Sequence, residues 1–403
     1  MRPSKFRIAM IPTANAGVNY YRMANFAWQM RKHKNVEVAL FAFQFNMVNP
    51  HPWQQDIVTM PEVRRQITSL CDIADVVIWQ PVYYPHTLDF FFEMRSRFEK
   101  PMLVETDDNY IDVPTWNEAH NSFGPGSSIR QTALEHLRMA DGAIVSTPYL
   151  ADLYSKYNRH VDVMENAIDF KEWDPVSPVR RHARVRIGWI GGRTHTRELL
   201  NIAPVIKEVL FENRDVWFYV INSGLKNYAK HKGIPYVFND CDRVFYTDRN
   251  VSINLYPRFM SSFGFDVGIA PLEDCHFNRG KSNLRWLEYS ALRVPTVASD
   301  ISHFSQTVRH GQDGYLVKGD DLGEWKRYLT ALVQDARLRK QIGEAAYRRV
   351  KTDFNVRKAA GRYLRRLKEI AGSGGIDEQD SFVHADSGFG ERSEPRPLFH
   401  LTN

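Results

Sequence analysis

The residues best suited to chemistry in this chain lie in three short stretches. In IGWIGGRTHTREL (187–199) an apolar run passes into a glycine pair and then a helical pattern. Gly191 and Gly192 would let backbone approach an anion, a helix start would offer unpaired amides, and Arg193 would add a fork of donors. His195, beside that helix start, could orient a substrate or cap the helix. The same glycines also suit tight strand-to-helix packing, and spacing leaves both readings open.

The second stretch is APLEDCHFNRGKSNLRWLEYSALRVPTVASD (270–300). If its helix begins near Ser282, Lys281, Arg285 and Glu288 fall at i, i+4 and i+7 along one face, beside an apolar stripe of Leu284, Leu287 and Ala291. The helix dipole disfavours a cation at its start by about 0.3–1 kcal/mol, so Lys281 is better explained by an anionic ligand docking there. Glu288 could accept hydrogen bonds from a ribose or sugar diol. A surface ladder of Lys281, Glu288 and Arg285 fits the same spacing. The third stretch, VETDDNY (104–110), ends a strand on Asp107 and Asp108, a pair that could orient or deprotonate a hydroxyl, bind a metal, or close Asx turns. Earlier, Gly17 follows the first strand, and Tyr21 and Arg22 open the next helix, where they read as core packing and a solvated charge.

The elements that must hold these residues are legible as alternating strands and helices. KFRIAMIP (5–12), VEVALFAFQF (36–45), ADVVIWQP (74–81), PMLVET (101–106) and DGAIVST (141–147) read as strands, with helical stretches such as NYYRMANFAWQMRKH (19–33) between them. A second series follows: strands in VRIGWIG (185–191), VWFYVIN (216–222), FDVGIAPL (265–272) and PTVASD (295–300), and helices in 198–210, 282–293 and 324–335. This predicts an α/β protein of two Rossmann-like domains: residues 1–173, a linker at 174–186 rich in proline and basic residues, residues 187–370, and a flexible tail at 371–403. Such domains place their ligand crevices at the strand ends, facing one another across a cleft.

Composition sets the outer bounds. With 403 residues, 43% hydrophobic and 25% charged, the chain is globular and long enough for two cores. Its apolar runs are too short for a bilayer span, and its N-terminus does not read as a secretory signal. Three widely spaced cysteines, Cys71, Cys241 and Cys275, suit free thiols and a cytoplasmic location. Residues 1–175 carry 17 basic and 21 acidic side chains, net −4, and residues 176–403 carry 36 and 26, net +10, so the positive charge belongs to the second half.

The run Asn278, Lys281, Ser282, Glu288, Ala291, Pro295 and Ser299, with GWIGGRTH before it and HGQDGYLVKGDD after it, resembles the retaining glycosyltransferases of the GT-B fold, in particular the group-one (family four) superfamily. GVNYYRMANFAWQM, ETDDNY, VSTPYLADLY and MENAIDF fall in the matching order in the first half. The resemblance implies a second domain that binds a nucleotide-diphospho-sugar, a first domain that presents the acceptor, and no required metal or other cofactor. It implies that Gly17, Gly191, Gly192, His195, Asn278, Ser282 and Glu288 surround the donor, with Arg193 and Lys281 against the leaving diphosphate. It assigns Asp107 and Asp108 to the acceptor side. Two positions depart from the family pattern: Gly280 stands where a sugar-contacting glutamate is usual, and Arg293 where a glycine precedes the proline strand.

The function implied is transfer of a sugar to a hydroxyl of a glycan, lipid-linked sugar or small metabolite, with retention of configuration. A hydroxylated base in DNA is an alternative acceptor, which would call for a basic groove in a half that is net acidic. A noncatalytic nucleotide-sugar-binding protein is the alternative from another class. A Rossmann dehydrogenase is disfavoured, because PTANAGVNYY lacks the G-x-G-x-x-G turn.

Overall fold

The computed structural model describes residues 5–12, 17–41, 61–81, 83–176, 184–221, 224, 237–249 and 251–372. Two parallel six-stranded sheets organise them. The first contains β1 (Phe6–Ile11), β2 (Val36–Leu40), β3 (Val76–Trp79), β4 (Met102–Thr106), β5 (Gly142–Val145) and β6 (Val161–Val163) in the order β2-β1-β3-β4-β5-β6. The second contains β7 (Val185–Ile190), β8 (Val216–Ile221), β9 (Val244–Thr247), β10 (Val267–Ala270), β11 (Thr296–Ser299) and β12 (Tyr315–Val317) in the order β12-β11-β10-β7-β8-β9. Parallel strands need crossovers that cover both faces, so strands such as VVIW (76–79) and VGIA (267–270) are buried along their whole length. Strand order reverses beside β1 in one sheet and beside β7 in the other. A crevice opens at such a reversal, outside the carboxyl ends of the strands.

The expected strands are all present, and residue 222 of the run expected at 216–222 lies outside the described residues. Residues 42–45 of the second expected strand lie outside the described residues, as do 177–183 of the linker and 373–403 of the tail. The boundary at 370 needs correction. Helix Val356–Ile370 follows the second domain in sequence but packs on the first sheet. Its buried residues Val356, Ala359, Ala360, Tyr363, Leu364 and Leu367 repeat at i, i+3, i+4, i+7, i+8 and i+11, a single apolar stripe. The chain therefore crosses between the domains twice, and the crossings pair: Ile168 N donates to Phe354 O at 2.8 Å, and Val356 N donates to Ile168 O at 3.0 Å. An apolar cluster including Tyr20, Tyr21, Trp173, Trp286 and Phe354 fills the space beside this crossing.

Candidate active site

The loops at the carboxyl ends of β4, β7 and β10 converge on one cavity of about 250 Å³. Asp107 reaches it from the first domain, and Gly191, His195, Lys281, Ser282 and Arg285 from the second. A larger depression of about 630 Å³ lies at the opposite ends of β4 and β5. Four of its charged side chains are committed to one another, Arg95 to Asp141 at 2.7 Å and Arg366 to Asp162 at 2.8 Å. The smaller cavity has convergent polar groups from both domains and is the candidate site.

Lys281 is its central cation. The expected helix starts later than Ser282, at Leu284, so Lys281 stands in the preceding turn and leaves the predicted ladder. Its Nζ donates to both carboxylate oxygens of Asp108, at 2.7 and 3.0 Å, and lies 4.4 Å from the centre of the Phe277 ring. Asp108 is therefore tied to Lys281 of the second domain, whereas the resemblance assigned it to the acceptor side. The remainder of the ladder survives: Arg285 donates to Glu288 Oε2 at 2.9 Å.

Glu288 itself is enclosed. Tyr21 Oη donates to its Oε1 at 2.8 Å across the domain boundary, and Tyr256 Oη approaches its Oε2 at 3.4 Å. Its side chain is 3% exposed and does not line the cavity, so in this arrangement it braces the domain boundary instead of facing a ribose. Burial raises its pKa, against the pull of Arg285.

The glycine pair divides. The Gly191 amide donates to Ile221 O at 3.2 Å, and a Cβ there would meet the Trp189 ring at 2.7 Å, so this glycine serves close packing. Gly192 is exposed and open. Arg193 lies in the short 3-10 turn that follows, and its side chain is outside the described residues. His195 Nδ1 lies 3.8 Å from Glu198 Oε1. Burial pushes Glu198 up, but the neighbouring His195 ring and a hydrogen bond from Asn278 more than offset it and hold the carboxyl low. Asn278 is fully buried and donates to Glu198 Oε1 at 2.9 Å and Glu273 O at 3.0 Å, which fixes its turn to the helix after β7. Gly17 opens a helical turn, Gly17–Asn19, that runs into a π-helical segment, Tyr20–Ala24. Such segments are frequent at functional sites.

Arg22 is corrected most sharply. Instead of facing solvent it pairs with Glu105 at 2.6 Å, both side chains 1% exposed. Gln80 donates to the other Glu105 oxygen at 2.6 Å, and Arg22 also donates to Asn166 Oδ1 at 3.1 Å. Asn166 Nδ2 then donates to Ser282 Oγ at 2.8 Å, which carries the network into the second domain. Further contacts clamp the same loop from the first domain: Asn109 Nδ2 to His276 O at 3.1 Å, Thr147 Oγ1 to Gly280 O at 3.3 Å, and Tyr149 Oη with His276 Nδ1 at 3.1 Å. A Cβ at Gly280 would lie 2.9 Å from Leu150 Cδ2 and 3.2 Å from Asn109 Cβ. The loop approaches the opposite domain too closely for a carboxylate side chain at that position.

None of these loop contacts has a local sequence signal, since the partners lie more than a hundred positions apart. Ser302 is a further residue that sequence reasoning missed: it holds a φ of 59° while its hydroxyl donates to Lys281 O. Among the described residues no group of three or more His, Cys, Asp or Glu side chains is placed to hold a metal ion. Cys71 is buried, which pushes its thiol up to about 12, and Cys241 and Cys275 are also free. No helix of the described residues is long and apolar enough to cross a membrane.

Residues 284–349 match the family model described as Glycosyl transferases group 1. The helix that carries Arg285 and Glu288 opens that segment. Over the whole chain, the structure is similar to HepE of Anabaena in complex with UDP-glucose, with a TM-score of 0.65 and 12% identity over 90% of this chain and 99% of that one. The fold is GT-B. The GT-B arrangement is likewise similar to sucrose-phosphate synthase from Thermosynechococcus elongatus, with a TM-score of 0.67 and 12% identity over 92% of this chain and 100% of that one. A glycosyltransferase from Rickettsia africae ESF-5 gives 0.62 and 13%, over 91% and 99%. Comparison with curated proteins returned no match. Within this GT-B frame, the cavity lies in the cleft between the two sheets, at the carboxyl ends of β4, β7 and β10.

Proposed function

We propose that the chain is a glycosyltransferase that moves a hexosyl or pentosyl group from a nucleotide-diphospho-sugar to an acceptor hydroxyl, with retention of configuration. The observation that carries this reading is the convergence of Lys281, Ser282, His195 and Asp107 on one cavity at the carboxyl ends of strands from both sheets. The match of residues 284–349 to the group 1 glycosyl transferases and the UDP-glucose complex of HepE support a sugar nucleotide as donor. Lys281 and the turn Gly192–His195 would stabilise the departing diphosphate where negative charge grows in the transition state. Arg193, by its place in that turn, is the second candidate cation, and Gly17 opens the facing helix of the first domain. The acceptor is a glycan, a lipid-linked sugar or a small metabolite.

The test is a thermal-shift and hydrolysis screen of the full chain against UDP-glucose, UDP-galactose, UDP-N-acetylglucosamine and GDP-mannose. A donor at 100 times its dissociation constant should stabilise the chain by about 2.7 kcal/mol. Release of free sugar from at least one donor is expected, and neither stabilisation nor release from any of them would overturn the reading. Because side chains clamp the diphosphate, turnover should persist in excess chelator. Loss of turnover that magnesium or manganese restores would instead make Asp107 and Asp108 metal ligands.

A further inference from the structure

Behind the cavity wall, a chain of buried polar groups runs from the first sheet to Ser282. It begins at Glu105 on β4, whose two oxygens accept from Arg22 and Gln80, each at 2.6 Å. Arg22 also donates to Asn166, in the segment after β6, and Asn166 donates to Ser282 Oγ at 2.8 Å. Arg22, Glu105 and Asn166 are buried, whereas Ser282 is half-buried and lines the cavity beside Lys281.

The chemistry of these groups fixes the direction of each hydrogen bond. A guanidinium has five N–H donors and no acceptor, so the Asn166 atom that faces Arg22 at 3.1 Å has to be the carbonyl oxygen. Turning the amide over would set N–H against N–H. The Asn166 NH2 group is thereby aimed at Ser282, whose oxygen accepts. A hydroxyl has one proton and two lone pairs, and the bond from Asn166 uses a lone pair. Among the described residues the Ser282 proton has no acceptor, so it is left for a ligand in the cavity. The far end of the chain is firm, because breaking a buried, paired charge such as Arg22 with Glu105 is strongly destabilising.

We propose that Asn166 is a positioning residue that holds the Ser282 hydroxyl as a hydrogen-bond donor to the diphosphate of the sugar nucleotide. This rests on the glycosyltransferase reading above and adds a first-domain residue to the donor site. Lys281 supplies a point charge there and Ser282 a directed O–H. The site is then complete only while the domains are together, since the group that orients Ser282 belongs to the first.

The test is calorimetric affinity of the full chain for UDP and GDP, in the native protein, Asn166→Asp, Asn166→Ala, Ser282→Ala and the Asn166→Asp/Ser282→Ala double variant. Aspartate keeps the size of the side chain and both contacts, but it can only accept. Ser282 then gives its proton to residue 166 and turns a lone pair toward the diphosphate. Asn166→Asp should weaken the tighter-binding nucleotide by about tenfold or more, and Asn166→Ala, which leaves the hydroxyl free to turn, by about threefold or less. With Ser282→Ala already present, Asn166→Asp should cost less than about threefold, the part owed to added charge alone. A merely structural role reverses the order, because alanine strips both contacts and aspartate keeps them. A larger loss of affinity for Asn166→Ala than for Asn166→Asp, or an equal cost of Asn166→Asp with and without Ser282, overturns the inference and leaves the glycosyltransferase reading standing. Ser282→Ala leaves the first domain untouched and should itself cost about fivefold or more, so unchanged affinity in that variant also overturns the inference. A native chain that binds neither nucleotide overturns both.

Discussion

At the scale of single residues, Lys281 and Asp108 define how the two domains meet at the site. Lys281 is 17% and Asp108 30% exposed, so the pair sits partly out of water, where a charge feels its neighbours more strongly than at the surface. A donor diphosphate and Asp108 compete for the same ammonium. Asp108→Asn should therefore tighten UDP binding by about tenfold, or about 1.4 kcal/mol, with the gain vanishing in a Lys281→Gln background. Unchanged or weaker binding, read calorimetrically, would mean that Asp108 only holds Lys281 in position. The residue types at these positions were legible in the sequence: an acid pair after a strand, and a lysine before a helix. Their pairing was not, because 173 positions separate them and nothing local links the two. Arg22 illustrates the same gap, since a lone arginine near a helix start reads as solvated until Glu105 is seen 83 residues away.

At the scale of elements, the loop His276–Ser282 and the helix Val356–Ile370 extend what periodicity reveals. The loop is gripped by the first domain at His276, Gly280, Lys281 and Ser282. Gly280→Ala needs a modest shift of the Leu150 methyl, whereas Gly280→Glu should lever the loop away from Asn109. The glutamate variant should open the cleft and raise the radius of gyration in small-angle scattering, and an unchanged radius would contradict this grip. Residues 356–370 carried a full apolar stripe in the sequence, but periodicity says that a helix has a buried face and not which sheet it covers. Leu364→Ala should destabilise the protein by about 2–5 kcal/mol in urea unfolding, whereas the exposed Arg365→Ala should have little effect. Removal of residues 373–403 should leave turnover intact, and loss of turnover from a folded truncation would assign those residues to the site. Arg293 shows how a departure from the family pattern is absorbed: it takes a φ of 57°, and its guanidinium lies 3.6 Å from the centre of the Tyr347 ring and 3.1 Å from Glu344.

At the scale of the whole molecule, the doubled sheet was legible because each central strand is a short unbroken apolar run followed by a helix pattern. The edge strands β6, β9 and β12 escaped notice, being three or four residues long, the first two only partly buried. What the sequence left invisible is closure, which depends on pairs such as Tyr21 with Glu288, 267 positions apart, and Glu165 with His303 at 2.7 Å. These contacts bring Asp107 and Asp108 of the first domain beside Lys281 of the second, and that juxtaposition is the basis of the functional reading. Its most direct test is donor hydrolysis by Lys281→Ala beside the native chain. Loss of a preorganised group that stabilises the leaving diphosphate should slow turnover by about two to three orders of magnitude, roughly 3–4 kcal/mol, with the fold retained. If Lys281 serves only its ion pair with Asp108, the variant will lose about 0–1 kcal/mol of stability and hydrolyse donor at the native rate, and that result would contradict the account.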